Sequence, residues 1–151
     1  MPYESHSRAV SDLKAHLVLA TKDGREVLSA TMRARLTEIV ESVCEKWGCQ
    51  VLEFNGEVDH VHLLFSYYPQ VQLSKFVNNL KTVTSRMIRK EFASEVAIFY
   101  DNKPELWTKS YFLASSGGVT VETWRRYVQN QNPPTVSKKR LSNKRVSNPR
   151  D

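Results

Sequence analysis

The sequence predicts an α+β domain of the ferredoxin-like kind: a split β-α-β antiparallel sheet with helices on one face, plus a C-terminal helix. Three observations carry this expectation. Residues 13–21, 50–66 and 111–115 are β-compatible, and two stretches of helical apolar spacing lie between them. Five Gly and six Pro in 151 residues are too few for a turn-rich all-β protein.

Each element follows in order. Leu13 to Thr21 (LKAHLVLAT) reads as the first strand, closed by the turn signal Lys22-Asp23-Gly24-Arg25. Met32, Leu36, Ile39, Val40, Val43 and Trp47 recur at helical spacing, and Gly48 is a natural stop. Gln50 to Phe54 and Asp59 to Ser66 read as strands, with Asn55-Gly56 as the hairpin turn between them. The next helix places Leu73, Phe76, Val77, Leu80, Val83, Met87 and Ile88 on one side. Lys75, Asn78, Asn79, Thr82, Arg86, Arg89 and Lys90 fall on the other. Residues 93–110 are mixed and read as irregular, and Tyr111 to Ser115 reads as the last strand before Gly117-Gly118. Thr120 is a good N-cap for a short helix to about Gln131, which Asn132-Pro133-Pro134 ends.

Composition sets the broad class. Hydrophobic residues at 40% and charged residues at 25% exclude wholesale disorder and collagen-like chains. No apolar run is long enough to span a membrane, and MPYESHSRAV lacks a secretory apolar core, so a cytoplasmic protein is expected. The net charge is +6, and residues 132–151, with six basic groups against one acid, hold +5 of it. The chain therefore divides into a domain over residues 1–131 and a basic flexible tail over 132–151. Cys44 and Cys49 have no metal-type spacing and read as two reduced core thiols.

His60-Val61-His62 lies within a predicted strand. Alternation puts both imidazoles on one face, while Val61, Leu63 and Phe65 project from the other. Two imidazoles on one face are a two-ligand platform for a divalent cation, and a third ligand must come from elsewhere. The final helix offers Tyr127 and Gln131, which share a side at i, i+4 beside the apolar stripe Val121, Trp124 and Val128. Asp59 or Glu57 is an alternative oxygen ligand, and a core-edge Tyr127 with a solvated Gln131 is the plainer reading. The basic stripe with interspersed amides suits phosphate contacts, although such a stripe is more commonly a solvated face.

These residues together resemble the HUH single-tyrosine transposases of the TnpA type, the insertion-sequence 200/605 group. The resemblance rests on His60-Val61-His62 within DHVHLLF, the lysine-bearing helix after it, and LWTKSYFLASSGGVTVETWRRYVQNQ over residues 106–131. It covers residues 12–131; Val58 departs from the common Met-Pro-Asp-His start, and the tail exceeds a minimal member. The resemblance implies His60, His62 and Gln131 as ligands of a divalent metal ion, Mg²⁺ or Mn²⁺, and Tyr127 as the nucleophile. It implies a DNA transposase: single-stranded DNA with hairpin ends as substrate, a covalent 5′-phosphotyrosine, a homodimer, and no nucleotide cofactor. Lys75, Arg86 and Arg89 are then the candidate contacts to the hairpin. Two other readings stay open: a relative that processes repeat hairpins without mobilising an element, and a non-catalytic ferredoxin-like nucleic-acid-binding module.

Overall fold

The computed structural model describes residues 13–115. In that range the strands are β1 (Lys14–Ala20), β2 (Gln50–Gly56), β3 (His60–Ser66) and β4 (Phe112–Ser115). The helices are α1 (Ala30–Lys46), α2 (Leu73–Glu91) and α3 (Ala93–Tyr100). The expected helix bearing Tyr127 and Gln131, and the basic tail, lie outside the described residues.

The four strands form one sheet in the order β2-β3-β1-β4, and every neighbouring pair is antiparallel. This is the expected ferredoxin-like arrangement. Ala15, Leu17 and Leu19 of β1 share a core with Val61, Leu63 and Phe65 of β3. Leu36, Ile39, Val40 and Val43 of α1, and Phe76, Val77, Leu80 and Ile88 of α2, pack onto that face. The Phe65 and Phe76 rings lie 4.9 Å apart, which fixes α2 on the Phe65 side of the sheet.

Local chemistry sets the helix ends. The Ser29 hydroxyl accepts the Met32 N–H and caps α1. At the other end Gly48 takes φ +72°, and the Cys49 N–H bonds the Cys44 carbonyl at 2.9 Å. That six-residue closure brings the two cysteine positions together at the helix end. Both thiols are free and buried, as expected for core residues, and burial pushes them up to about 12 for Cys44 and about 11 for Cys49.

Two expectations need correction. Asn55-Gly56 is not the hairpin turn: both residues pair within the sheet, opposite His62 and Val61. The Glu57 N–H bonds the His60 carbonyl at 2.7 Å, leaving Val58-Asp59 as the loop. Gly56 is glycine for packing: a Cβ there would sit 3.0 Å from the Arg33 Cδ and 3.3 Å from Val61. Residues 93–110 are not irregular throughout, since 93–100 form α3, with Val96 and Tyr100 buried. The mixed composition hid a helix only two turns long.

A register shift between Val51 and Glu53 completes the sheet. The extra residue, Leu52, lets Val51 and Phe54 both pack against the core, although three-residue spacing would otherwise put them on opposite faces.

Candidate active site

The other face of β3 carries His60, His62 and Leu64, as alternation predicts. Cross-strand pairing places Ala20 opposite His60 and Val18 and Asn55 on either side of His62. The two imidazole rings are stacked, with centroids 6.1 Å apart and planes 27° from parallel. At metal–nitrogen distances of about 2.1 Å, two imidazoles on one ion at tetrahedral or cis-octahedral angles have centroids about 4.5–5.5 Å apart, so this pair would draw together by about 1 Å to share an ion.

The hairpin loop completes His60. Its Nδ1 lies 2.8 Å from Asp59 Oδ1. A carboxylate only accepts, so Nδ1 carries the hydrogen and the Nε2 lone pair is left for a cation. This carboxylate–histidine couple is the second-sphere arrangement that orients metal-ligating imidazoles. The Asp59 Oδ1 is thus committed to His60. Among the described residues, no group of three or more His, Cys, Asp and Glu side chains is placed to hold a metal ion.

The loop itself is pinned by backbone. The Thr21 N–H donates to the Asp59 carbonyl at 3.0 Å, and the Leu28 N–H to the Val58 carbonyl at 3.0 Å. The turn after β1 that supplies these donors contains Asp23 and Gly24, both at positive φ. It is held in turn by Tyr100, whose hydroxyl donates to the Lys22 carbonyl at 2.8 Å. Burial pushes the Tyr100 phenol up to about 12. Sequence reading found the Lys22–Arg25 turn but missed its bonds to the Val58-Asp59 loop and to Tyr100, which join segments far apart in the chain.

The candidate phosphate contacts lie elsewhere. Lys75 and Arg86 are exposed on α2, and the Arg89 Nε donates to the Ser85 hydroxyl at 3.0 Å. Because α2 packs on the Phe65 side, this stripe and the histidine pair are on opposite sides of the sheet. Glu91, at the end of the stripe, is bound by Arg35 at 2.8 and 3.0 Å, and this pairing holds its carboxyl below the usual range. Lys81, on the same helix, instead donates to the carbonyls of Thr108 and Lys109, both at 2.9 Å, and burial lowers its pKa. That lysine clips the segment leading into β4 onto α2.

Among the described residues, no helix is long and apolar enough to cross a membrane. Tyr127 and Gln131 lie outside the described residues, so the structure brings together the two histidines and Asp59 and no more of the expected set.

Known proteins share this architecture and sequence. The transposase for insertion sequence element IS200 of Salmonella typhimurium is 28% identical over 118 residues, 78% of this chain and 76% of that protein. The ISDra2 transposase TnpA of Deinococcus radiodurans is 26% identical over 122 residues, 81% of this chain and 86% of that one. A crystal structure described as a Deinococcus radiodurans transposase superposes with TM-score 0.67 at 26% identity, over 78% of this chain and 89% of that chain. A REP-associated tyrosine transposase, solved bound to a REP hairpin, shares the fold at TM-score 0.54 and 10% identity, over 80% and 64% of the two chains. The family described as Transposase IS200 like matches residues 9–131, most of the chain and every strand and helix given above, and the protein belongs to that family of transposases.

Proposed function

We propose that this chain cleaves and rejoins single-stranded DNA at hairpin ends, using Tyr127 as the nucleophile and His60, His62 and Gln131 as ligands of one divalent metal ion, Mg²⁺ or Mn²⁺. The observation that carries the reading is the stacked His60–His62 pair with Asp59 behind it. A solvated strand face has no need of a carboxylate that fixes one imidazole tautomer.

The bound ion would supply Lewis-acid polarisation of the scissile phosphate. The chain's own groups do the rest. His60 and His62 would hold the ion on the sheet, and Asp59 keeps the His60 Nδ1 protonated so that Nε2 is the nitrogen left to bind it. The Tyr127 phenol is a weak nucleophile at its ordinary pKa of ~10 and gains from being held close to the phosphorus. Its oxygen forms a bond to phosphorus as the P–O3′ bond breaks, leaving a 5′-phosphotyrosine and a 3′-hydroxyl that takes up the proton. The ester conserves the phosphodiester bond, so attack by a second 3′-hydroxyl joins strands with no nucleotide cofactor. One such tyrosine per chain and two strands to exchange imply a homodimer.

The test mixes the protein with labelled single-stranded DNA bearing a hairpin end, with and without Mn²⁺, and resolves it under denaturing conditions. A metal-dependent protein–DNA adduct is expected, abolished in Tyr127→Phe with DNA affinity nearly intact. An adduct in Tyr127→Phe, or none in the wild type on the element's own ends, overturns the reading. The second result would favour the binding-module reading.

A further inference from the structure

Strand β2 brings a second carboxylate-held polar group to the histidine face. Val51 packs on the core, so counting by twos from it would turn residues 53 and 55 inward and Phe54 outward. The register shift after Val51 reverses this. Glu53 pairs with Leu64 and Asn55 with His62, on the histidine face, while Phe54 pairs with Leu63 on the core side. Bulges beside active sites re-aim side chains in this way. Both polar residues are half-buried, and the Asn55 Nδ2 donates to Glu53 Oε2 at 2.6 Å. A carboxylate only accepts, so the amide has one orientation: Glu53 takes one N–H, leaving the second N–H and Oδ1 for another partner. The two sides of His62 therefore differ, with the apolar Val18 of β1 on one and the Asn55 carboxamide on the other. His60 lies one diagonal from Asn55.

We propose that Asn55 is a catalytic residue: its second amide N–H donates to a non-bridging oxygen of the scissile phosphate, with Glu53 as its positioning residue. This role rests on the function proposed above, in which the scissile phosphate lies over His60 and His62. As the phenol oxygen attacks, negative charge grows on the non-bridging oxygens. A donor already held in place stabilises that charge without reorganising. Glu53 does for the carboxamide what Asp59 does for His60: it takes up one hydrogen and fixes what the opposite end of the group presents. A carboxylate at 2.6 Å also polarises the amide, which strengthens its remaining N–H as a donor. Solubility of an edge strand would be served by exposed charge alone, whereas these two side chains are half-buried and bonded to each other.

Two measurements on the full chain test this, one kinetic and one by binding alone. In Asn55→Leu, adduct formation at saturating hairpin-ended DNA and Mn²⁺ should slow about 100-fold, the scale of losing one oxyanion donor, with DNA and Mn²⁺ affinities unchanged. Glu53→Ala should slow it about tenfold, and Glu53→Gln, whose carbonyl still accepts from Asn55, should restore most of the loss. The Glu53 pair leaves position 55 intact, so this arm stands even if Asn55→Leu fails to fold. For binding, the Asn55 side-chain amide should shift in nitrogen–proton NMR spectra of Tyr127→Phe when the same DNA is added with Mg²⁺. A wild-type rate at saturating DNA in Asn55→Leu or in Glu53→Ala, or an Asn55 amide unmoved by bound DNA, overturns the proposal. If the wild type forms the adduct in those cases, the transposase chemistry stands and only the Asn55 role falls. If the amide shifts while the wild type forms no adduct, Asn55 touches DNA but both it and Tyr127 lose their catalytic roles.

Discussion

The two faces of one strand divide the labour of this protein. On β3, Val61, Leu63 and Phe65 are 3, 2 and 0% exposed and build the core with both long helices. His60, His62 and Leu64 alternate with them and face the other way. The same backbone bonds hold both sets, so the core rigidifies the site without contributing a ligand to it. Chemistry placed on a strand inherits the precision of the sheet, whereas the basic stripe on α2 points away from the site and gains nothing from it.

Neighbouring substitutions should separate the faces. The largest effect expected is on activity: His62→Ala should lose the metal-dependent DNA adduct with only a modest shift in melting temperature, and His60→Ala should do the same. Gln131→Ala should lose less. Full adduct formation in His62→Ala would remove the metal assignment. One residue on, Leu63→Ala should cost about 2–5 kcal/mol in denaturant unfolding, because it opens a cavity between the sheet and both helices. Equal stability losses at 62 and 63 would mean that the faces are not separable.

Asp59→Ala sharpens the comparison at the edge of the site. Mn²⁺ affinity measured calorimetrically should fall about 10–100-fold, as for other second-sphere partners. Unchanged affinity would mean that the His60 tautomer is fixed by something else.

A pH effect belongs to the core side. Cys44, Cys49 and Tyr100 all have raised folded pKa values, with burial as the leading cause. The folded chain therefore holds these protons to higher pH than the unfolded one. Their stabilisation is whole below about pH 9 and drains away as pH rises toward about 11 for Cys49 and about 12 for Cys44 and Tyr100. The slope is at most about 1.4 kcal/mol per pH unit for each group. Unfolding of Cys44→Ala/Cys49→Ala between pH 9 and 11 should show a shallower slope than wild type; an equal slope would place the loss elsewhere.

The smallest effect is expected on α2. Replacing Lys75, Arg86 and Arg89 with Ala should weaken DNA binding more at low salt than at high salt while sparing the adduct rate at saturating DNA. A collapse of that rate would tie the stripe to the reaction despite its place on the far side.

The residues differ in how far their roles could be read from sequence. The His60–His62 pairing, the buried trio between and beyond them, and the apolar side of α2 follow from periods of two and 3.6 residues, which any stretch of chain displays by itself. The hairpin turn was misplaced because Asn55-Gly56 favours a tight turn locally, while pairing with β3 and the Arg33 stem above Gly56 kept both in the strand. Helix α3 was missed because eight residues give too little periodicity to register. Thr84 could not be foreseen as buried: its hydroxyl accepts the Trp107 indole N–H at 2.9 Å from a segment far along the chain.

By itself, then, the sequence determined which residues share a face, because backbone geometry repeats identically along each element. The tertiary structure decided what those faces meet: Asp59 behind His60, the stripe of α2 turned away from the histidines, and Asn55 brought beside His62. Such meetings depend on strand register and on which side of the sheet the helices cross, and both are set by burial across the whole chain, which no local pattern records.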